Sequence, residues 1–266
     1  MNKNKKQKKD IAIAVTGNFK YLYKYFNNIY SDIRKKGMYS GDILIITTLM
    51  CPTFLIKSIS KKNNVIVLRF YKIKFDENTI EKLSNLKTYP DPNRHITKEF
   101  QWHKLHLFDE KLKKWKYIFY LDINMNIHHN LNLILRKLPE NSLMARADAY
   151  PEYKRTLKSQ FDNTNPIFID LSTKYDLNIN NYFQTGVLFF DTNIIEKNTK
   201  NYLINLVKQF PISKTNEQGI MNLFFIFEKN IYKELPIEVE NFLTYFYWKM
   251  PDKKVIITKA NTVQNK

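Results

Sequence analysis

The sequence predicts a single α/β domain in which helices flank a mostly parallel, Rossmann-like central sheet. Two observations predict this fold. Short apolar runs lack polar alternation, which is typical of strands buried on both faces, and helical patterns separate these runs along the chain. With 266 residues, 44% of them apolar and 26% charged, the chain can bury a large core.

The pattern is clearest in the first half of the chain. Predicted strands there cover residues 11–15, 43–47, 64–70 and 117–121, and predicted helices cover residues 21–33, 53–60 and 98–113. The second half is less regular, with strands predicted at 187–190 and 255–257 and helices at 192–209 and 216–229. The polar stretch 150–181 is interpreted as an insertion or lid.

The net charge of +18 arises from 43 Lys and Arg residues against 25 Asp and Glu residues. Such a positive field attracts phosphates, nucleic acids or anionic membrane surfaces. Part of the excess lies in residues 1–9, interpreted as a disordered basic tail ahead of a domain at 10–266. No helix-turn-helix, zinc-finger or RNA-recognition signature is present, which disfavours a nucleic-acid partner.

Cys51 is the only cysteine in the chain. An intramolecular disulfide and a cysteine metal cluster are therefore excluded, and a reducing, cytoplasmic location is favoured. No stretch approaches the roughly 18 apolar residues of a membrane span, so we expect no transmembrane segment.

Residues 117–124 (Y-I-F-Y-L-D-I-N) carry the most informative pattern, because a buried strand ends abruptly in Asp122 and Asn124. Ligands of open α/β sheets bind at the carboxyl ends of strands. Asp122 and Asn124 alternate, so we expect them on the same side of the strand. Their oxygens would suit Mg²⁺ or Mn²⁺, with substrate phosphates completing the shell. A strand end followed by polar turn residues is the alternative interpretation.

Five further segments accompany this motif in a fixed order. They are Val15–Thr16 followed by Tyr21 or Tyr23, K-L-H at 104–106, R-A-D at 146–148, F-Q-T-G-V at 183–187 and E-Q-G-I-M-N at 217–222. Together with Asp122 and Asn124, they resemble glycosyltransferase family eight, in particular its glycogenin-like members. Three of the five glycines, Gly17, Gly186 and Gly219, lie at these segments, as expected where the backbone needs a positive φ or a close approach.

The resemblance implies a GT-A fold and a hexosyltransferase that moves a hexose from a UDP-sugar to an acceptor hydroxyl with retention of configuration. It implies donor-binding roles for Val15, Thr16, Tyr21, Lys104, Asp148, Gln184 and Gly186. It also implies catalytic roles for Asp122, Glu217 and Gln218, and a Mn²⁺ or Mg²⁺ ion on Asp122 and Asn124. The acceptor is left open among protein, glycan and lipid, and a homodimer is one open oligomeric state.

Two departures from the family pattern concern the metal. Asn124 replaces the second aspartate of the D-x-D motif, which removes a negative charge. Thr258 stands where the resemblance places the family's C-terminal histidine, which completes the metal site. Lys259 and Lys266 are candidates for a cation on the diphosphate, since a cationic side chain can stabilise the leaving UDP without a metal.

These departures motivate a second hypothesis, in which the chain is a catalytically weakened or inactive nucleotide-binding protein with a GT-A fold. A basic nucleic-acid-binding protein is a third hypothesis, and only the net charge supports it.

Overall fold

The computed structural model describes residues 9–86, 98–247 and 253–259. Residues 1–8 of the predicted basic tail and Lys266 lie outside these ranges. The strands in the described ranges are β1 (Lys9–Thr16), β2 (Asp42–Thr48), β3 (Val65–Phe70), β4 (Trp115–Asp122), β5 (Met125–Ile127), β6 (Leu143–Ala147), β7 (Phe183–Asp191), β8 (Tyr232–Glu234), β9 (Glu238–Val239), β10 (Phe242–Phe246) and β11 (Val255–Lys259).

Seven of these strands form the central sheet, in the order β3-β2-β1-β4-β7-β6-β8. β1 is parallel to β2 and β4, β2 is parallel to β3, and β6 is parallel to β8, whereas β7 is antiparallel to both of its neighbours. The predicted mostly parallel α/β sheet is therefore confirmed. A second sheet has the order β5-β11-β10-β9.

Helices pack on the central sheet. The α-helices of the described residues span Phe19–Lys35, Thr53–Ser60, Glu77–Ser84, Asn132–Leu135, Ile167–Lys174, Thr199–Gln209 and Glu217–Asn222. 3-10 helices span Glu99–Phe108, Glu110–Lys114, Leu157–Gln160 and Thr192–Ile194, and a π-helix spans Leu223–Glu228. No helix among the described residues has the length and apolar character needed to cross a membrane.

The central sheet is buried on both faces, which explains its uninterrupted apolar runs. Ala12 and Ala14 belong to the apolar core on one face, and Ile13 and Val15 belong to the core on the other. The second face is covered by the helix Phe19–Lys35, which buries residues at helical spacing: Leu22, Phe26, Ile29 and Ile33. Alternation along the strand thus divides the core into two layers.

The stretch 150–181, interpreted as an insertion or lid, contains two of the short helices. Its residues Leu157, Phe161 and Leu171 are fully buried in the main apolar core. The stretch therefore packs against the body of the domain, and a lid movement stays a prediction.

Four strands place polar and charged residues at one edge of the central sheet. Because β1 and β4 are parallel, their carboxyl ends meet there, with Thr16 opposite Asp122. β7 runs the other way, so its first residues reach the same edge. β11 arrives through the second sheet, where Lys259 pairs with Met125 just after the end of β4.

Candidate active site

A cleft of about 520 Å³ opens at this edge of the sheet. Five of the predicted residues line it, namely Thr16, Tyr21, Lys104, Asp122 and Asn124. Three further lysines, Lys72, Lys98 and Lys259, also line it. The volume lies within the range of pockets that hold small-molecule ligands and cofactors, and the lysines favour an anionic one.

Asp122 lies at the centre of an ionic network on the floor of the cleft. Its Oδ1 atom lies 3.0 Å from Lys104 Nζ, and its Oδ2 atom lies 2.9 Å from Lys259 Nζ. The Tyr120 hydroxyl donates to Oδ1 over 2.8 Å. Burial raises the pKa of Asp122, but Lys104 and Lys259 outweigh burial and hold this pKa well below its usual range. Asp122 is therefore ionised.

Lys104 joins Asp122 to a second buried carboxylate. Its Nζ atom lies 2.8 Å from Glu217 Oε1 and also contacts the backbone oxygen and hydroxyl of Thr185. Burial alone would lower the pKa of Lys104, but the carboxylates of Asp122 and Glu217 raise it above its usual value. Glu217 is 1% exposed, and its Oε2 atom accepts no hydrogen bond within the described residues. Glu217 therefore holds a buried acceptor oxygen without a donor among these residues.

Asp148 lies in a second network, in which its Oδ2 atom meets two neutral groups and lies 3.7 Å from Arg155 Nη1. The Tyr182 hydroxyl donates to Asp148 Oδ2 over 3.0 Å, and Gln160 Nε2 lies 3.5 Å from the same oxygen. Gln160 in turn accepts from Gln218 over 2.9 Å. Burial raises the pKa of Asp148 and outweighs the opposing effect of Arg155. The side-chain oxygen of Gln218, Oε1, accepts from the backbone N–H of Thr185 over 3.2 Å, which connects the two networks.

Gln184 and Gly186 lie beside Asp122 at the start of β7. Gln184 Oε1 accepts from the Tyr245 hydroxyl over 3.1 Å. A Cβ atom on Gly186 would lie 2.8 Å from Met125 Cε, 2.9 Å from the Tyr245 hydroxyl and 3.7 Å from Asp122 Oδ2. Gly186 therefore permits close packing beneath Asp122. No glycine among the described residues has a positive φ, so close approach is the reason for glycine here.

Two predicted site residues differ from expectation in their placement. Val15 is fully buried in the apolar core, so any contact of this residue with a donor would come from its backbone. β4 ends at Asp122, and Asn124 lies in the turn before β5. The expected strand alternation of these two residues is therefore wrong, although both line the cleft.

The C-terminal strand presents Lys259 to Asp122 and turns Thr258 away. Thr258 is buried, and its hydroxyl lies 2.8 Å from His128 Nε2. Thr258, which we expected in place of the family's histidine, therefore does not face the motif, because neighbours on a strand face opposite sides. Lys259 is the residue of β11 that reaches the motif.

Several residues of the networks were not predicted: Tyr120, Gln160, Tyr182, Thr185 and Tyr245. Tyr120 could have been found, because it lies two residues before Asp122 on the same strand and thus on the same face. Gln160 comes from a segment with no site-like sequence pattern, so only the fold identifies it.

The residues present at the motif do not fit a divalent cation. Each carboxylate oxygen of Asp122 accepts from a lysine ammonium group, and Asn124 offers a neutral amide in place of a carboxylate. Across the described ranges, no group of three or more His, Cys, Asp or Glu side chains could hold a metal ion. A metal would have to displace at least one ammonium group from Asp122.

Comparisons of the sequence with known proteins find no relative. No known family model matches the chain, and no curated protein is significantly similar to it. Comparisons of the structure do find similar proteins. A galactosyltransferase, LgtC, solved with donor and acceptor sugar analogs, aligns with a TM-score of 0.62 over 94% of this chain and 87% of that chain, at 13% identity.

Two further solved structures show the same similarity. Mouse xyloside xylosyltransferase 1 aligns with a TM-score of 0.54 over 96% of this chain and 98% of that chain, at 10% identity. The mannosyltransferase Ktr4p from S. cerevisiae aligns with a TM-score of 0.51 over 85% of this chain and 68% of that chain, at 12% identity. The chain thus has the GT-A glycosyltransferase fold. At such identities the similarity establishes the fold and leaves the activity to the site.

Proposed function

We propose that the chain is a glycosyltransferase that moves a hexose from a UDP-sugar to an acceptor hydroxyl with retention of configuration. One observation carries this proposal: the cleft at the carboxyl edge of a GT-A sheet contains an ionised Asp122 held between two lysines. The cationic lining of the cleft suits a diphosphate, and its volume suits a nucleotide.

The residues divide between the two ends of the donor. Thr16 and Tyr21 line the cleft where β1 ends, and we assign them to the nucleoside. Asp148, Gln184 and Gln218 lie on the side of β7, and we assign them to the sugar. The buried Oε2 atom of Glu217, which accepts no hydrogen bond among the described residues, is a suitable acceptor for a sugar hydroxyl.

The protein's task in this reaction is to orient two substrates and to stabilise a leaving group. The family resemblance implies attack by the acceptor on the face from which UDP leaves. Because the protein holds donor and acceptor in that geometry, the reaction step no longer carries the entropic cost of a bimolecular encounter. Positive groups aimed at the departing diphosphate stabilise the charge that develops there.

Release of UDP from a panel of UDP-sugars, with a mixture of protein, glycan and lipid acceptors, tests the proposal. We expect turnover by the native chain and a loss of about 100-fold or more in Asp122→Ala, the scale of removing one electrostatic catalytic group. Asp170→Ala, which removes an exposed aspartate on the helix Ile167–Lys174, is the matched control. Equal turnover in Asp122→Ala and Asp170→Ala would contradict the site assignment.

The second candidate is a GT-A protein that binds nucleotides and has weak or no transferase activity. Asn124 favours it, because the D-x-D motif has lost one of its two acidic residues. UDP binding without turnover of any donor, tested with Mn²⁺, with Mg²⁺ and with neither, would select this candidate over the transferase.

A further inference from the structure

The end of β11 places a cation against the D-x-N motif. Lys259 Nζ lies 2.9 Å from Asp122 Oδ2, and the lysine side chain is 17% exposed and lines the cleft. Its ammonium group also lies 5.7 Å from the centre of the Tyr247 ring. These contacts hold the cation at the floor of the cleft, within reach of a ligand.

The two lysines around Asp122 differ in what they can reach. Lys104 is 4% exposed, and Asp122, Glu217 and Thr185 all lie within 3.2 Å of its Nζ atom. An ammonium group has three hydrogens, so these partners saturate Lys104. Lys259 is the more exposed of the two. Lys259, which lines the cleft with the larger exposed fraction, is therefore the lysine of this pair that a bound anion can contact more fully.

Two differences from a D-x-D metal site offset each other in charge. Asn124 in place of an aspartate removes one negative charge, and Lys259 in place of a divalent ion removes one positive charge. A D-x-D pair with a divalent ion sums to zero, because two negative carboxylates meet two positive charges. Asp122, Asn124 and Lys259 also sum to zero, since one carboxylate meets one ammonium group. Either departure alone would leave the site unbalanced. Together they describe a site in which a lysine has taken the position of the ion.

We propose that Lys259 is the resident cation that binds the diphosphate of the nucleotide donor in place of a divalent metal ion. This inference rests on the proposed function. In the transfer, the bond between the anomeric carbon and the β-phosphate oxygen breaks, and its electron pair stays on that oxygen. The acceptor oxygen bonds to the anomeric carbon, and its proton passes to the departing phosphate. Lys259 donates to the diphosphate oxygens and stabilises their charge, while Asp122 positions the ammonium group.

Calorimetric titration of UDP into the full chain, once with Mn²⁺ and once with EDTA, tests this proposal. We expect equal affinity in both solutions. Lys259→Met should weaken UDP binding about 10- to 100-fold, as expected when a hydrogen bond to a charged group is lost. Lys116→Met removes an exposed lysine near the opposite end of β4 and should leave the affinity unchanged.

A double variant, Asn124→Asp with Lys259→His, sharpens the test. It supplies two acidic ligands and an imidazole, which are side chains that Mn²⁺ accepts. We expect weak UDP binding by this variant in EDTA and binding about tenfold or more tighter with Mn²⁺. The native chain should show no such response.

Three results would overturn the proposal. They are native UDP binding that requires Mn²⁺, native-like binding by Lys259→Met in EDTA, and no UDP binding by the native chain under either condition. Failure of the proposed function is distinct. If the chain binds UDP through Lys259 but turns over no sugar donor, only the proposed transferase function is contradicted. If it transfers sugar only with Mn²⁺, only the proposed role of Lys259 is contradicted.

Discussion

Asp122 and Asp148 lie at the same edge of one sheet, yet their surroundings shift their pKa values in opposite directions. Asp122 meets two ammonium groups, which lower its pKa. Asp148 meets Tyr182 and Gln160 and lies 3.7 Å from Arg155 Nη1, and burial outweighs this partly exposed cation and raises the pKa of Asp148. Environment, and not residue type, thus gives these two carboxylates different chemistry. The first is suited to holding cations, and the second to meeting neutral hydroxyl groups.

The largest expected effect comes from removing the ionic centre. Asp122→Ala should lower the free energy of unfolding by about 3 kcal/mol, because it leaves Lys259 and Lys104 without their shared carboxylate in a largely buried site. Denaturant unfolding of the variant and of Asp170→Ala measures this difference. A change within about 0.5 kcal/mol, the scale of an ordinary surface substitution, would mean that the network does not stabilise the domain.

A smaller effect is expected from the neutral network. Gln160→Ala removes hydrogen bonds to Asp148 and Gln218 and should cost about 1–2 kcal/mol of unfolding free energy, mostly from buried polar groups left without partners. The same denaturant experiment measures it. A cost equal to or above that of Asp122→Ala would break the distinction between the two networks.

The smallest effects concern the pH dependence of stability, and they have opposite signs. The pKa of Asp122 is lowered from 3.8, so its stabilising contribution is lost as the pH falls below about 3.8. The pKa of Asp148 is raised from 3.8, so above that value the folded state binds more protons and stability falls as the pH rises towards the folded pKa.

Thermal unfolding between about pH 3 and pH 7 tests these signs with two isosteric variants. Asp122→Asn should remove the loss of stability on the acid side, whereas Asp148→Asn should remove the loss at rising pH and should raise Tm near neutrality. If both substitutions changed the pH dependence of Tm in the same direction, the assigned environments of Asp122 and Asp148 would be contradicted.

The strands of the first half could be predicted from sequence because burial on both faces leaves continuous apolar runs at β1 to β4. β6 was missed, since its sequence L-M-A-R-A contains Arg146. That arginine is 1% exposed because it pairs with Glu234 over 2.8 Å. Its partner lies 88 residues further along the chain, so local pattern gives no reason to bury it.

The predicted amphipathic helix at 98–113 is also different in the structure, where two 3-10 segments replace it. All residues from Trp102 to Phe108 are buried, so this segment has no solvent-facing side that a 3.6-residue period could mark. Lys104 is buried there because Asp122 and Glu217 compensate its charge. The sequence suggested this lysine only through the family resemblance.

The sequence alone does not predict which residue of β11 faces the motif. Whether Thr258 or Lys259 faces the motif depends on a shift of one residue, which exchanges the two faces of a strand. Pairing of β11 with β5 settles this register, with Lys259 opposite Met125. Such pairing is a property of the folded chain, and motif spacing alone does not determine it.

A crystal structure of the chain with UDP tests most directly whether this cleft binds the donor. We expect the nucleoside beside Thr16 and Tyr21, and diphosphate oxygens within hydrogen-bond distance of Lys259 Nζ. UDP bound elsewhere on the domain, or UDP in the cleft with its diphosphate pointing away from Asp122 and Lys259, would contradict the assignment of this edge of the sheet as the donor site.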